Sequence, residues 1–213
     1  MSDEASSEDG IVRGEDGVRR CWWGDSAPEY RAYHDHEWGF PVQDDVRLFE
    51  KLSLEAFQSG LSWLTILRKR EAFRRAFAGF RFEEVAGFDD GDVQRLLADA
   101  AIVRNRAKIE AVINNARQAV IMVQDEGSIA ACVWRLEPHE RPSRLDRATL
   151  LGLAQTPESK ALAKDLKRRG WRFVGPTTAY AFMQAMGLVN DHLEGCDARP
   201  AVEQARARLT RPD

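Results

Sequence analysis

Apolar positions recur at helical spacing along most of the chain. Leu48, Phe49, Leu52 and Ala56 form one stripe, opened by Asp44 or Asp45 as an N-cap and closing near Gly60. A second helix is predicted over 62–77, burying Ile66, Phe73 and Phe77. Short helices follow at 82–87 and 90–99. The cleanest stripe lies over 104–124, where Ile109, Val112, Ile113, Ala116, Val120 and Val123 share a face. A shorter segment surrounds Cys132 and Trp134. Residues 137–156, with Pro138 and Pro142, read as a loop and a brief helix. Thr156-Pro157-Glu158 is a helix start, with Thr as cap and Pro in the first turn. That helix runs to Gly170, another runs from Pro176 to near Gly187, and a last one lies within 199–210. No alternating strand pair, internal repeat or heptad appears, so the predicted fold class is all-α.

Residues 157–187 stand out as helix, turn, helix: PESKALAKDLKRRG, WRFVG, PTTAYAFMQAMG. Gly170 can end the first helix, and Gly175 is expected to allow a tight turn and a close backbone approach. The amides of Thr177 and Thr178 then sit unpaired at a helix N-terminus, where an anion such as a DNA phosphate fits. Lys167, Arg168, Arg169 and Arg172 lie just upstream. On these grounds Arg172, Gly175, Thr177 and Thr178 are the candidate DNA contacts.

Charge changes this picture only locally. The 213 residues carry a formal net charge of −3. Residues 1–20 hold six acids and three arginines, so the remaining chain is neutral overall. Two stretches are nevertheless strongly basic, RKREAFRR at 68–75 and KALAKDLKRRGWR at 160–172. A basic stripe can meet phosphates without a basic pI. Residues 1–19, rich in Ser, Asp, Glu and Gly without apolar periodicity, read as a disordered acidic tail. The globular body is then 20–198, and 199–213 is a C-terminal extension. No window approaches the roughly 18 apolar residues of a membrane span. Three cysteines fit a reducing compartment rather than a disulfide scaffold, and the acidic opening residues are unlike an export signal. A cytoplasmic monomer is the expectation.

Two clusters carry candidate chemistry. Cys21 and His34 near the start, with His192 and Cys196 near the end, make a Cys₂His₂ set, the tetrahedral donor pattern of structural zinc. Four protein ligands leave no open position, so such a site staples rather than catalyses. The second cluster is aromatic. Trp22, Trp23, Tyr30, Tyr33 and Trp38 fall within 17 residues, and Glu55 and Trp63 follow in SLEAFQSGLSW. Flat aromatic faces around one carboxylate suit a flat cationic ligand, because stacking, cation–π attraction and a charged hydrogen bond act together. These features alone also fit a non-catalytic helix-hairpin-helix DNA-binding module or, with the metal set, a zinc hydrolase.

The landmarks RCWWG, AYHDHEWGFP, LSLEAFQSGLSWLTILRKRE, IVRNRAKIEAVINNAR, RRGWRFVGPTTAYAFMQAMGLVNDH and the closing GC occur in order between Arg20 and Cys196. Together they resemble the DNA-3-methyladenine glycosylase I family of base-excision repair enzymes. The resemblance implies a helix-hairpin-helix glycosylase fold with zinc joining its ends through Cys21, His34, His192 and Cys196. It implies a base pocket of Trp23, Tyr30, Tyr33, Trp38, Glu55, Gln58 and Trp63. By position, Glu55 reads the hydrogen-bonding edge of the extruded base, Trp63 stacks on it, Tyr33 also bonds to it, and Gln58 lies beside them. The implied reaction releases free 3-methyladenine from double-stranded alkylated DNA and leaves an abasic site, with Glu55 as the residue on which catalysis depends. Phe57 and Ala181 depart from residues found in some relatives, and Asp191 is expected to be structural.

Overall fold

The computed structural model describes residues 10–140, 142 and 145–212. Its first element is an antiparallel hairpin of β1 (Ile11–Arg13) and β2 (Arg19–Cys21), with Ile11 opposite Cys21. Helices α1 (Pro28–His36), α2 (Asp45–Gln58) and α3 (Trp63–Ala76) follow, then a 3-10 turn at Ala78–Phe80. Next come α4 (Phe82–Ala86), α5 (Asp90–Ala98), α6 (Arg106–Glu126) and α7 (Ile129–Trp134). The chain closes with α8 (Arg147–Gly152), α9 (Pro157–Arg168), α10 (Pro176–Ala185) and α11 (Arg199–Arg208).

Side-chain caps set the helix starts where the sequence marks them. Asp44 accepts from the Arg47 amide at 2.8 Å, Ser62 from the Thr65 amide at 3.2 Å, and Asn105 from the Lys108 amide at 3.1 Å. Asp89 with Asp92, and Thr156 with Ser159, form reciprocal capping pairs at α5 and α9. α2 is the central strut and packs against α3, α6, α7 and α10. Its stripe of Leu48, Phe49, Leu52 and Ala56 is fully buried, as are Ile66, Phe73 and Phe77 opposite it. Each such side chain contributes roughly 1.5–3 kcal/mol of burial. On α6, Ile109, Val112, Ile113 and Ala116 are buried as the stripe predicts, but Ala119 and Met122 replace Val120 and Val123 as its buried continuation. No helix among the described residues is long and apolar enough to cross a membrane.

The structure corrects three expectations. The fold is mostly helical as expected, but β1 and β2 pair where no strand pair was expected. That pairing also removes residues 10–19 from the tail expected to be disordered; residues 1–9 lie outside the described residues. Asp16 in the hairpin turn binds the buried Arg20, so acidic residues that look like tail composition are ion-pair partners. The aromatic stretch after Cys21, for which no helix was predicted, contains α1, whose first residue is Pro28. The C-terminal extension forms the expected last helix and packs on the body: Val202 of α11 is fully buried and Arg199 donates to the His192 carbonyl at 2.5 Å.

The hairpin between α9 and α10 forms as predicted, but its turn is built differently. Gly170 takes φ +85° and Phe173 takes φ 56°, so these two carry the left-handed turn. Gly175 is extended, at φ −83° and ψ 167°, and a side chain there would meet no protein atom within 4 Å. Asn115 of α6 clamps the turn, accepting from the Arg172 amide at 2.7 Å and donating to the Arg172 carbonyl at 3.0 Å.

Candidate base pocket, metal-binding group and hairpin surface

All seven residues assigned to the pocket line one cavity of about 370 Å³: Trp23, Tyr30, Tyr33, Trp38, Glu55, Gln58 and Trp63. Its remaining wall includes Trp22, Gln184, Ala181 and the Leu150–Ala154 stretch around the end of α8. The aromatic rings lock edge to face. Trp23 stands 5.6 Å from Tyr30 and 4.9 Å from Trp38, both nearly perpendicular, and Tyr33 lies 5.5 Å from Trp63. Such packing fixes ring planes and leaves a slot suited to a flat ligand.

Glu55 is buried in this wall, and the sequence reading missed its partner. Lys51, one turn earlier on α2, places Nζ 2.8 Å from Glu55 Oε1 and donates to Tyr33 Oη at 2.8 Å. The same ammonium lies 3.3 Å from the Trp63 ring centroid. Burial pushes the Lys51 amine below the usual lysine range, while Glu55 pulls it back up. Burial also pushes the Tyr33 phenol well above its ordinary value, with Glu55 adding to the rise, so Tyr33 keeps its proton. The signal available in the sequence was spacing, since Lys51 and Glu55 share a helix face at i, i+4.

Phe57 points away from the pocket. It is fully buried, 4.6 Å from Phe73, in the core between α2 and α3. Ala181 does face the cavity, and it also lines a neighbouring groove of about 380 Å³. That groove runs between Glu55, Gln58 and Leu61 on one side and Thr177 and Thr178 on the other, so pocket and hairpin open onto one surface.

The four metal-ligand candidates converge. One donor atom from each of Cys21, His34, His192 and Cys196 lies within 4.8 Å of the others, and all four residues are buried. Cys196 Sγ is 3.4 Å from His192 Nδ1 and 3.6 Å from His34 Nε2, and Cys21 Sγ is 4.0 Å from His192 Nδ1. Donors at ordinary Zn–N and Zn–S bond lengths stand roughly 3.5 Å apart around a tetrahedron, so the group fits a metal ion. The other imidazole nitrogens are held from outside. His192 Nε2 donates to the Trp38 carbonyl at 2.9 Å, and His34 Nδ1 meets Asp35 Oδ1 at 2.8 Å. Arg20, 3% exposed, grips Asp35 at 2.7 Å. Gly24 lies against His34 so closely that a Cβ there would sit 2.6 Å from the imidazole. The two thiols differ: their mutual hydrogen bond pushes Cys21 up and draws Cys196 down, with His192 and His34 adding to the fall at Cys196.

The basic stretches divide. In 68–75, Arg68 pairs with Glu29, Arg70 with Glu37, and Arg74 with Glu50 and Glu71, so these three arginines serve the protein's own packing. In 160–172, Arg169 binds Glu126 and Arg168 binds Asp165. Among the described residues, Lys164, Lys167 and Arg172 have no carboxylate partner, and all three are exposed. Thr177 is exposed and Thr178 half-buried at the start of α10. Asp191 is fully buried and accepts from Tyr180 Oη at 2.5 Å and Gln184 Nε2 at 2.9 Å, which ties α10 to the segment carrying His192.

These parts define a mostly helical protein in which an aromatic pocket with a buried carboxylate lies beside a helix-turn-helix hairpin. The methyladenine glycosylase family matches residues 22–199, and the chain belongs to that family. It is 46% identical over 184 residues to DNA-3-methyladenine glycosylase 1 of Escherichia coli (strain K12), covering 86% of this chain and 98% of that protein. It is 41% identical over 181 residues to the DNA-3-methyladenine glycosylase of Haemophilus influenzae, covering 84% of this chain and 97% of that protein. The solved structure of 3-methyladenine DNA glycosylase I from Staphylococcus aureus, which describes 3-methyladenine recognition, superimposes with a TM-score of 0.79 at 37% identity. That alignment covers 85% of this chain and 96% of the other.

Proposed function

We propose that this chain is a base-excision repair glycosylase that hydrolyses the N-glycosidic bond of 3-methyladenine in DNA. The observation that carries this reading is the cavity lined by a buried carboxylate and six aromatic side chains, opening toward the hairpin. Methylation at N3 makes the nucleoside base cationic. Water adds at C1′, the C1′–N9 bond breaks with its electron pair going to the base, and the base leaves neutral. The proton from water passes to solvent. Because the leaving group is already activated, the protein's task is to take the nucleotide out of the stack, hold the base and admit water.

In this reading Glu55 accepts hydrogen bonds from the base edge and favours its positive charge. Trp63 and the other rings supply stacking, worth roughly 1–3 kcal/mol per base. Tyr33, kept protonated, adds a second polar contact, and Gln58 sits at the mouth. Arg172, Gly175 and the amides of Thr177 and Thr178 hold the phosphate backbone of double-stranded DNA. The open space at Gly175 suits a close approach from outside the protein. Pocket and metal-binding group are complete within one chain, which supports a monomer.

The metal is zinc, held by Cys21, His34, His192 and Cys196. The donor set and its burial support this assignment. All four positions are filled by protein, so the ion's chemistry here is to neutralise the thiolates and fix the fold. Its structural consequence reaches the pocket, because His34 and His192 pack 5.0 Å from Trp23 and 4.8 Å from Trp38. The test of the whole reading is chromatography of bases released from methylated DNA. Release of 3-methyladenine supports it; DNA binding without release points instead to a non-catalytic hairpin module.

A further inference from the structure

Lys51 is 5% exposed, in a position an apolar side chain could fill. It does not line the base-sized cavity. It lines a smaller one of about 30 Å³ on the far side of Tyr33 and Trp63, two residues that border both spaces. The ammonium therefore sits behind the pocket wall and reaches a bound base only through the groups it touches. Those are Glu55 Oε1 at 2.8 Å, Tyr33 Oη at 2.8 Å and the Trp63 ring at 3.3 Å, three groups that also line the base cavity. Five other charged side chains face this space; four are paired with each other, and Arg47 makes no ion pair among the described residues. Glu37 binds Arg70 from α3 at 2.5 Å, and Glu50 binds Arg74 at 2.9 Å. Glu55 is the carboxylate left to Lys51, and Lys51 is the cation in contact with Glu55.

A buried carboxylate without a counter-charge takes up a proton, and one without a fixed hydrogen bond is free to rotate. Lys51 prevents both. We propose that Lys51 is a positioning residue for base recognition: it engages Oε1, leaves Oε2 to meet the base, and balances the Glu55 charge so that the pocket selects by hydrogen-bond direction. This rests on the assignment of Glu55 to the base edge. Tyr33 is oriented by the same ammonium, which fixes its hydroxyl as an acceptor toward Lys51 and aims its proton elsewhere. A third effect falls on Trp63, whose ring carries a cation at one face.

The test is the pH profile of 3-methyladenine excision by the full chain and by Lys51→Met, Lys51→Gln and Lys51→Arg. Lys51→Met and Lys51→Gln are expected to move the acid limb to higher pH by about one to two units. Excision then falls about tenfold or more at pH 6 and recovers toward pH 8. Lys51→Arg restores the limb because it keeps the charge. A merely structural lysine would lower the melting temperature and leave the limb in place. Glu55→Gln separates the two readings. If Glu55→Gln excises at the wild-type rate, the assignment of Glu55 to the base fails. If Glu55→Gln is inactive while folded Lys51→Met and Lys51→Gln keep the wild-type acid limb, the positioning role of Lys51 alone is overturned. Should Lys51→Met not fold, the contrast of Lys51→Gln with Lys51→Arg decides the matter.

Discussion

His192 Nε2 donates to the backbone carbonyl of Trp38 across a 2.9 Å hydrogen bond, joining residues 154 apart in the chain. The contact orients an imidazole whose other nitrogen faces two thiols, and it fixes the backbone of an aromatic residue that walls the base cavity. Metal-binding group and pocket are thus one mechanical unit. Loss of the metal is expected to reach the pocket through Trp23 and Trp38 before it reaches Glu55 on α2.

Cys196→Ser is therefore expected to lose most bound zinc, and binding energy lost there is folding energy lost. A loss of a few kcal/mol corresponds to a fall in melting temperature of roughly 10 °C for a chain of this size. Metal analysis and thermal melting of the same preparation check this. Stoichiometric zinc with unchanged stability would remove the staple.

Lys51 and Glu55 are expected to be coupled in stability as well as in activity. Breaking a buried pair from one side strands a charge, so Lys51→Met and Glu55→Gln should each cost stability, by up to about 3–5 kcal/mol. The double variant should recover part of that, with a coupling of roughly 0.5–3 kcal/mol in a double-mutant cycle. The sign of the pH dependence follows from burial. The folded amine lies below the usual lysine range, so between the folded and unfolded values the unfolded chain binds more protons. The Lys51 contribution to stability therefore rises with pH through that window. Melting curves of wild type against the double variant isolate it, and parallel curves across alkaline pH would contradict it.

Asn115 is the residue on which the hairpin turn depends most directly. Asn115→Ala removes both side-chain bonds to the Arg172 backbone. The expected cost is roughly 1–3 kcal/mol, with weaker binding to undamaged duplex as the turn loosens. Melting and fluorescence-anisotropy titrations measure the two effects separately.

The unpaired lysines of α9 make a graded prediction. Lys164→Ala and Lys167→Ala should weaken DNA binding regardless of sequence and reduce the salt slope by about one each where the residue meets a phosphate. Arg70→Ala, whose guanidinium is held by Glu37, should leave that slope unchanged.

Much of this was legible before any coordinates. Caps at Asp44, Ser62 and Thr156 and the stripe through Leu48 and Leu52 mark local physics, and local physics is what sequence spacing records. The pocket set was legible because its residues cluster within short motifs. What escaped was non-local. The hairpin of residues 11–21 is too short and too polar to show alternation, and Arg20 holds it through Asp16, which reads as tail composition, and through Asp35. Gly175 was credited with a turn that Phe173 makes at φ 56°, a conformation an aromatic residue rarely adopts and no sequence pattern signals. The 68–75 stripe looked like a partner surface because its acidic partners Glu29, Glu37 and Glu50 lie on or at the end of other helices. Lys51 was hidden by its chemistry, since a lysine in an apolar stripe reads as a helix edge until its carboxylate is found beside it.

The most direct measurement is the amount of 3-methyladenine released from methylated duplex DNA by folded, zinc-replete wild type and by Glu55→Gln, followed by chromatography. Wild type is expected to release 3-methyladenine and leave 7-methylguanine in place, with release falling by at least about a hundredfold in Glu55→Gln as the charged hydrogen bond to the base is lost. Equal release by the two proteins would contradict the role of Glu55, and no release by wild type would contradict the glycosylase reading itself.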